Sequence, residues 1–582
     1  MPKDIVVIGP PGTGKTRSMI LTSTGWFKRG ASPDQVAYLA FTRAAANEAA
    51  SRILDEDIDL GLGPDGKLPY FRTLHSLAYR GMMATRKGEV RIITPADMKA
   101  FSAWSGYEGA YALTNVEDLS EVYQNLTQTS RTDYDKLLTA YALSRISARS
   151  PEELDAARVR MSRTAARTVG YIDQGEEAYK TFVQKYETFK SNHGLVDFTD
   201  MLAYALTEMS PLDGVRYVVI DEAQDLAPIL FAIVDRLFAS AEQIWWAGDP
   251  NQTIYGFAAA DAKLFIGRFE RADARVALRQ THRFGQDVVD FSTRIIRRAR
   301  DKVIVDVIGK PGVRHKITRT GEFSPTVEPM LILHRHVVGC QALAAAYMAE
   351  GKPFRCERGK DPLGHEARIR AFKAMDGLAG GSAVSAGAVI RLVDDFMRSV
   401  LPPDASTEGK PVRLVVHGAK RRLQDGVLKG DVTLRDLVEA KILTEKGAEA
   451  VMARNLQVLK GEYVSDFEYY RKVVDRGYKL ETVDAEGKPK VPIITTIHGS
   501  KGRQAPRVVV FDEMGPKCKE DMDAEHRLAY VAATRTEGDL EICGERKVDW
   551  AEEAYDYPLS GPPPKSVSTQ AVVDPEPEDF VL

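Results

Sequence analysis

The stretch IVVIGPPGTGKTRS, residues 5–18, constrains this chain more than any other. Four apolar residues, Ile5 to Ile8, read as a buried strand. Gly9, Gly12 and Gly14 let the chain turn tightly and bring backbone N–H groups against phosphate oxygens. A helix-compatible run, RSMILTSTGWF, follows. Strand, glycine-rich loop and helix in that order predict a phosphate-binding loop. Its candidate nucleotide cradle is Gly9, Pro10, Pro11, Gly12, Thr13, Gly14, Lys15, Thr16 and Arg17. Lys15 is placed to reach the β- and γ-phosphates, and Thr16 to offer a hydroxyl to Mg²⁺. Kinases, GTPases, transporters and motors share such a loop, so the rest of the chain must decide among them.

With 582 residues, length alone suggests about three or four domains. A hydrophobic share of 44 % and a charged share of 28 % are those of a soluble globular protein. No apolar run is long enough for a membrane span, and the chain runs almost directly into the loop strand, so neither a membrane nor a signal peptide is expected. The 79 basic and 82 acidic residues give a net charge of −3. A near-neutral chain of this kind binds nucleic acid only through a local basic or aromatic groove. Cys340, Cys356, Cys518 and Cys543 are far apart and form no C-x-x-C pair. That disfavours metal ligation and disulfides and points to a reducing compartment.

Strand-like runs alternate with helix-like runs near the start (QVAYLAFT), in the middle (YVVIDEA, IWWAGD) and late (LILHRHV, VPIITTIHG, RVVVFDEM, DLEICGE). This is the pattern of doubly wound α/β layers. Residues of about 80–190 and 360–484 are instead helical in tendency, with VTLRDLVEAKILTEKGAEAVMARNLQVL a long amphipathic stretch. Two α/β domains, each interrupted by a helical insertion, are the simplest layout. The end of the chain, rich in Pro, Ser and acids, predicts a disordered tail.

RYVVIDEAQD, residues 216–225, is an apolar strand ending in two acids. The partner of a phosphate loop is a second strand whose terminal Asp holds Mg²⁺, and Asp221 fits that role. Glu222 can then orient and polarise an attacking water. There is a single G-K-[ST] in the chain. The second α/β domain therefore has no phosphate loop of its own, and is expected to close over nucleotide bound to the first and add positive charge.

These residues resemble the superfamily 1 helicases of the UvrD/Rep/PcrA type, through a full series of motifs in order. After GPPGTGKT come LAFTRAAANEAASRI (39–53), TLHSLAYR (73–80), LVDFTDML (195–202), VIDEAQD and WAGDPNQTIYGFAAAD (246–261). Then follow LRQTHR (278–283), LILHRHVVGCQALAAAYMAEGKPFRC (331–356), TTIHGSKGRQAPRVVV (495–510) and EHRLAYVAATR (525–535). The resemblance implies an α/β fold of two RecA-like P-loop-type domains. The first would comprise residues 1–80 and 190–275, with a helical insertion over 81–189. The second would comprise 276–360 and 485–555, with a reduced insertion over 361–484, and a tail over 556–582.

It further implies an ATP-dependent DNA helicase, with ATP and Mg²⁺, moving 3′ to 5′ on single-stranded DNA and unwinding at single-strand/duplex junctions. The alternatives are a translocase that strips proteins without unwinding, and a nucleotide-switched DNA-binding protein recruited through its acidic tail. A small-molecule kinase is disfavoured by the double-domain layout. The family's positions assign Gln252 as γ-phosphate sensor and Arg283 and Arg535 as arginine fingers. They place Phe41, Thr42, His75, Tyr255, Phe257 and His498 along the single strand. A protein partner is expected at the acidic C-terminal tail, and the expected location is the cytoplasm of a bacterium or bacteriophage host. Trp245 and Trp246 are expected in the core. Arg145, Arg149, Arg158, Arg160, Arg163 and Arg167 form a basic segment of the first insertion that suits either phosphates or solvent.

Three positions depart from the family pattern. His282 stands where an adenine-stacking Tyr is usual, Gln504 where a ribose-facing Glu is usual, and Phe257 where Trp is usual. In addition, GFAAA replaces a polar stretch and removes two positive charges from the DNA groove.

Overall fold

A computed structural model of the chain describes residues 2–56, 60–62, 66–86, 90–108, 132–170, 175–402, 410–513 and 521–544, and the backbone of 572–573. It divides into two compact units. The first comprises 1–316, 515–534 and 549–582, and the second 317–514 and 535–548.

In the first unit every strand of the main sheet is parallel to its neighbour. The order is Val572–Val573, Ala274–Ala277, Lys3–Ile8, Gln243–Gly248, Tyr217–Ile220, Val36–Leu39, Phe71–Arg72. Both faces are covered, which explains why these strands lack polar alternation. Ile5 and Val7 pack with Met19, Trp26 and Trp245 on one face. Val6 and Ile8 pack with Leu74, Ile220 and Trp246 on the other. Register places Ile8 beside Gly248, and Ile220 beside Leu39 and Trp246. The loops that begin at Gly9, Asp221 and Asp249 therefore leave the sheet along one edge, the carboxyl edge where open α/β sheets take ligands.

The first insertion is helical, as expected, but it shares one core with the sheet face that carries Val6 and Ile8. Its neck is a short parallel pair, Arg91–Ile92 with Leu195–Val196. Phe101, Tyr134, Phe182, Tyr186 and Phe189 form an aromatic cluster inside it.

Arg145, read from sequence as a surface cation, is 3 % exposed. It donates to Asp200 Oδ1 at 2.6 Å and Thr199 Oγ1 at 2.8 Å. Lys190 Nζ joins the same cluster at 2.8 Å from Asp197 Oδ2 and 2.7 Å from Asp200 Oδ2. The acids come from the VDFTD element, where Asp197 also caps the helix Phe198–Thr207. Arg145 thus ties the insertion to that helix and is unavailable to phosphates. Arg149, Arg158, Arg160, Arg163 and Arg167 are exposed, and Arg167 pairs with Asp521 at 2.7 Å.

Burial alone would push Asp197 up, but Lys190 and Arg145 outweigh it and hold the carboxyl well below the usual range. A carboxyl depressed in the folded state stabilises above its unfolded pKa and loses that contribution as pH falls. Arg145→Met should therefore lower stability at neutral pH by about 3 kcal/mol, near the low end for a buried pair because Lys190 still pairs with both acids. Thermal melts should show the gap to wild type narrowing in acid.

The second unit has its own parallel sheet, in the order Arg355–Cys356, Ile493–Thr496, Leu331–His334, Ala505–Phe511, Thr536–Cys543, Ile317–Thr320. Its insertion contains the helices Glu366–Ala379 and Gly461–Asp475, shorter helices between them, and two short antiparallel pairs. The long amphipathic stretch is not one helix. It breaks into Leu434–Glu439 and Glu445–Met452, because Lys441 turns left-handed (φ 53°) and Thr444 caps a new start.

Two expected boundaries move. The first unit continues to Lys316 instead of ending at 275, and it also takes the helix Met522–Ala533. The cause is local bonding. Leu278 N–H donates to Ile8 O, and Thr281 Oγ1 to Pro11 O, at 2.8 and 2.9 Å. Arg527 ties the late helix to the carbonyls of Pro250 and Asp301. In the expected disordered tail, Val572–Val573 forms an edge strand beside Ala274–Ala277. The rest of 556–582, with the expected partner-binding acids, lies outside the described residues, as does Cys518.

Candidate functional site

Gly9 ends the first strand, and the loop closes on itself through Thr13, whose N–H and Oγ1 both donate to Pro10 O. Gly12 and Gly14 have φ of 77° and 80°, which disfavours any side chain. Gly12 is also closely covered, since a Cβ there would fall 2.5 Å from Thr281 Oγ1 and 2.6 Å from Arg283 Cβ. The helix Lys15–Lys28 starts at Gly14 with no side-chain cap and no acid in its first turn. Its free N–H groups and positive dipole end suit an anion. Pro10 and Pro11 are buried, and Arg17 is exposed on the first turn.

Lys15 Nζ lies 3.2 Å from Glu222 Oε1, and its side chain is 10 % exposed. Burial would lower its pKa, but Glu222, Asp221 and Asp249 together raise it, so the ammonium is firmly charged. Thr16 Oγ1 donates to Asp221 Oδ2 at 2.9 Å. Burial, then the neighbouring Glu222, push the Asp221 carboxyl up despite Lys15. Lys15 alone does not offset these two effects. One carboxylate and one hydroxyl side by side fit Mg²⁺, which prefers few protein ligands with water and phosphate completing the shell. Among the described residues there is no group of three or more His, Cys, Asp or Glu that could hold a metal by itself.

Tyr38 was not picked out from sequence. It is fully buried on Val36–Leu39, and its hydroxyl donates to the same Asp221 Oδ2 at 3.0 Å. Burial and then Asp221 keep the phenol protonated, so it acts only as donor here.

Glu222 adopts a left-handed backbone, φ 55°, at the turn after the strand. The third strand's end adds Asp249, whose Oδ2 accepts from Gln252 Nε2 at 2.8 Å and from the Tyr530 hydroxyl at 3.4 Å. Gln252 is buried. His282 is exposed, and its backbone N–H holds Gly12 O at 2.8 Å. Arg283 is half-buried and donates to Thr534 O at 2.9 Å. The first unit therefore brings together the loop, Asp221, Glu222, Gln252, His282 and Arg283. In the second unit, Gln504 is exposed, His498 is half-buried in the turn after Ile493–Thr496, and Arg535 is buried just before Thr536–Cys543. These three share one region, where Arg535 donates to Arg503 O at 3.5 Å and Ala505 N–H to Arg535 O.

The expected aromatic residues of the first unit form a contiguous set. Phe41 stacks on Tyr255, with centroids 5.6 Å apart at 16°, and Phe257 meets Tyr255 edge-on at 6.0 Å and 74°. Phe41 and Phe257 are half-buried, whereas Tyr255 is only 6 % exposed. Tyr255 is therefore the pillar under the other two rings, not itself an open stacking face. Thr42 is half-buried and its hydroxyl caps the helix Arg43–Leu54. Burial lowers His75 to about 4, so it is neutral at physiological pH. Trp245 and Trp246 are core residues, as expected.

Residues 1–271 match the family model of the UvrD/REP helicase N-terminal domain, and residues 493–542 that of the UvrD-like helicase C-terminal domain. The chain belongs to the UvrD-type superfamily 1 helicases. Among the relatives of this UvrD-type chain is the ATP-dependent DNA helicase UvrD2 of Mycobacterium tuberculosis, 27 % identical over 318 residues, or 51 % of this chain and 42 % of the relative. The probable DNA helicase II homolog of Mycoplasma capricolum is 22 % identical over 313 residues, 51 % of this chain and 39 % of that one. The probable DNA helicase of Mycoplasma pneumoniae is 25 % identical over 274 residues, 45 % and 46 % respectively. The UvrD-type match spans less than half the length of each of these relatives. No helix among its described residues is long and apolar enough to cross a membrane.

Proposed function

We propose that the protein is an ATP-dependent DNA helicase that moves 3′ to 5′ along single-stranded DNA and opens duplex at junctions. The observation that carries this reading is the convergence of Lys15, Thr16, Asp221 and Glu222 on the sheet edge of a unit that also holds the Phe41–Tyr255–Phe257 set. The polarity rests on the family relation alone.

Asp221 and Thr16 would hold Mg²⁺, which neutralises charge on the β- and γ-phosphates when bound. Lys15 and the N–H groups at the helix start orient the same phosphates. Glu222 accepts the proton of the attacking water. Gln252 reports the γ-phosphate to Asp249 and Tyr530. Arg283 and Arg535 stabilise charge on the transferring group. Arg283→Ala and Arg535→Ala should each cut turnover by about 10³-fold while changing nucleotide affinity much less. If steady-state kinetics with a nucleotide-binding titration show affinity alone lost, the finger role is wrong for that residue.

The direct experiment is strand displacement on duplexes with 3′ or 5′ single-stranded tails, beside streptavidin displacement from biotinylated single strands. ATP-dependent opening from a 3′ tail is expected. Streptavidin release without duplex opening would establish the translocase reading instead. Neither activity, with nucleotide-dependent DNA binding retained, would establish the switched binder.

A further inference from the structure

We propose that Gln224 is a positioning residue that sets the carboxylate of Glu222 and ties it to the Asp249–Gln252 pair. The proposal rests on the reading of Glu222 as the acceptor of the water's proton.

Gln224 is 1 % exposed and both ends of its amide are engaged. Nε2 donates to Glu222 Oε2 at 2.5 Å and to Asp225 Oδ2 at 3.2 Å, and Oε1 accepts from Asp249 N–H at 3.0 Å. Only this orientation of the amide works, because the reverse would set an oxygen against two carboxylates and an NH₂ against an N–H. Its own carbonyl accepts from Thr253 Oγ1 at 3.3 Å. The approach to the strand end is close enough to require glycine there, since a Cβ on Gly248 would fall 2.5 Å from Gln224 Oε1.

Glu222 needs such a restraint. A left-handed backbone at a non-glycine residue persists only where its surroundings hold it. Its two carboxylate oxygens are gripped separately, Oε1 by Lys15 at 3.2 Å and Oε2 by Gln224. On the far side, Gln224 reaches Asp249, whose Oδ2 is held by Gln252. One amide thus connects the residue proposed to activate water with the residue proposed to sense the γ-phosphate. A shift of the Asp249 loop would move Glu222 through a single side chain.

The test uses the full chain with Gln224→Glu, which keeps the oxygen that accepts from Asp249 N–H and removes the donor that faces Glu222. Turnover at saturating ATP and single-stranded DNA should fall about a hundredfold, the scale of a displaced reacting group. The KM for ATP and the affinity for a fluorescent ADP analogue should stay close to wild type. Gln224→Met, which carries no charge, should give the same split if the buried glutamate unfolds the protein. In a Glu222→Gln background, either change should slow turnover no further. Losses that multiply in the double variant, or wild-type turnover in both single variants while Glu222→Gln is inactive, overturn the role of Gln224 and leave that of Glu222 standing. Wild-type turnover by Glu222→Gln overturns the reading on which the proposal rests.

Discussion

Lys15→Ala is expected to abolish ATP hydrolysis, with turnover down by at least about 10³-fold. In the proposed mechanism the lysine contributes charge where negative charge builds during phosphoryl transfer, and no other cation lies on that loop except the exposed Arg17. Read from sequence, such a residue would be an exposed loop lysine of little consequence for folding. The structure corrects that, because the side chain is largely buried against Glu222, and Asp221 and Asp249 also act on its charge. Lys15→Ala leaves those acids without their shared cation, so a lower melting temperature should accompany the lost activity. Lys15→Arg keeps the charge with the wrong shape. It should recover much of the melting temperature and little of the turnover. Hydrolysis near the wild-type rate in a folded Lys15→Ala protein would mean that another site does the work.

Phe257→Ala should weaken single-stranded DNA binding roughly ten- to a hundredfold, the equivalent of one lost stacking partner at about 1–3 kcal/mol. The ring is half-buried, rests edge-on against Tyr255 and packs on the rim of the core. Its truncation should therefore cost only about 1 kcal/mol of stability, well below the 3–5 kcal/mol of a fully buried Phe. Basal hydrolysis should survive, since no group at the phosphate loop is touched. The same change at Tyr255 should behave as a core truncation and lower the melting temperature strongly. A melt beside a DNA titration separates these cases. A large drop in melting temperature for Phe257→Ala, or unchanged DNA affinity, would remove it from the track.

Much of this is legible in the sequence. The apolar runs ending in GPPGTGKT, DEAQD and AGD are strands with their functional loops at the carboxyl end, because a parallel sheet buried on both faces needs uninterrupted apolar residues. Motif order singles out Lys15, Thr16, Asp221 and Glu222, which the fold brings together. What escaped depends on contacts distant in sequence. Tyr38 looks like any strand aromatic until the neighbouring strand brings Asp221 beneath its hydroxyl. Gln224 sits inside a recognisable motif, yet its partner Asp249 comes from another strand. Arg145 lies in an arginine-rich run whose other members are exposed, and only the fold reveals the acids around it. The boundary near 275 slipped because the segment after Ala274–Ala277 bonds back to the phosphate loop, which no local pattern announces.

The central claim is that nucleotide hydrolysis at Lys15 and Glu222 is coupled to a nucleic-acid track at the Phe41–Tyr255–Phe257 set. It is tested most directly by steady-state ATP hydrolysis with single-stranded DNA, with RNA of the same length, and with no polymer. The account predicts that single-stranded DNA raises turnover many-fold in the wild type and far less in Phe257→Ala, with equal basal rates in the two proteins. Turnover that is indifferent to single-stranded DNA in the wild type would contradict it.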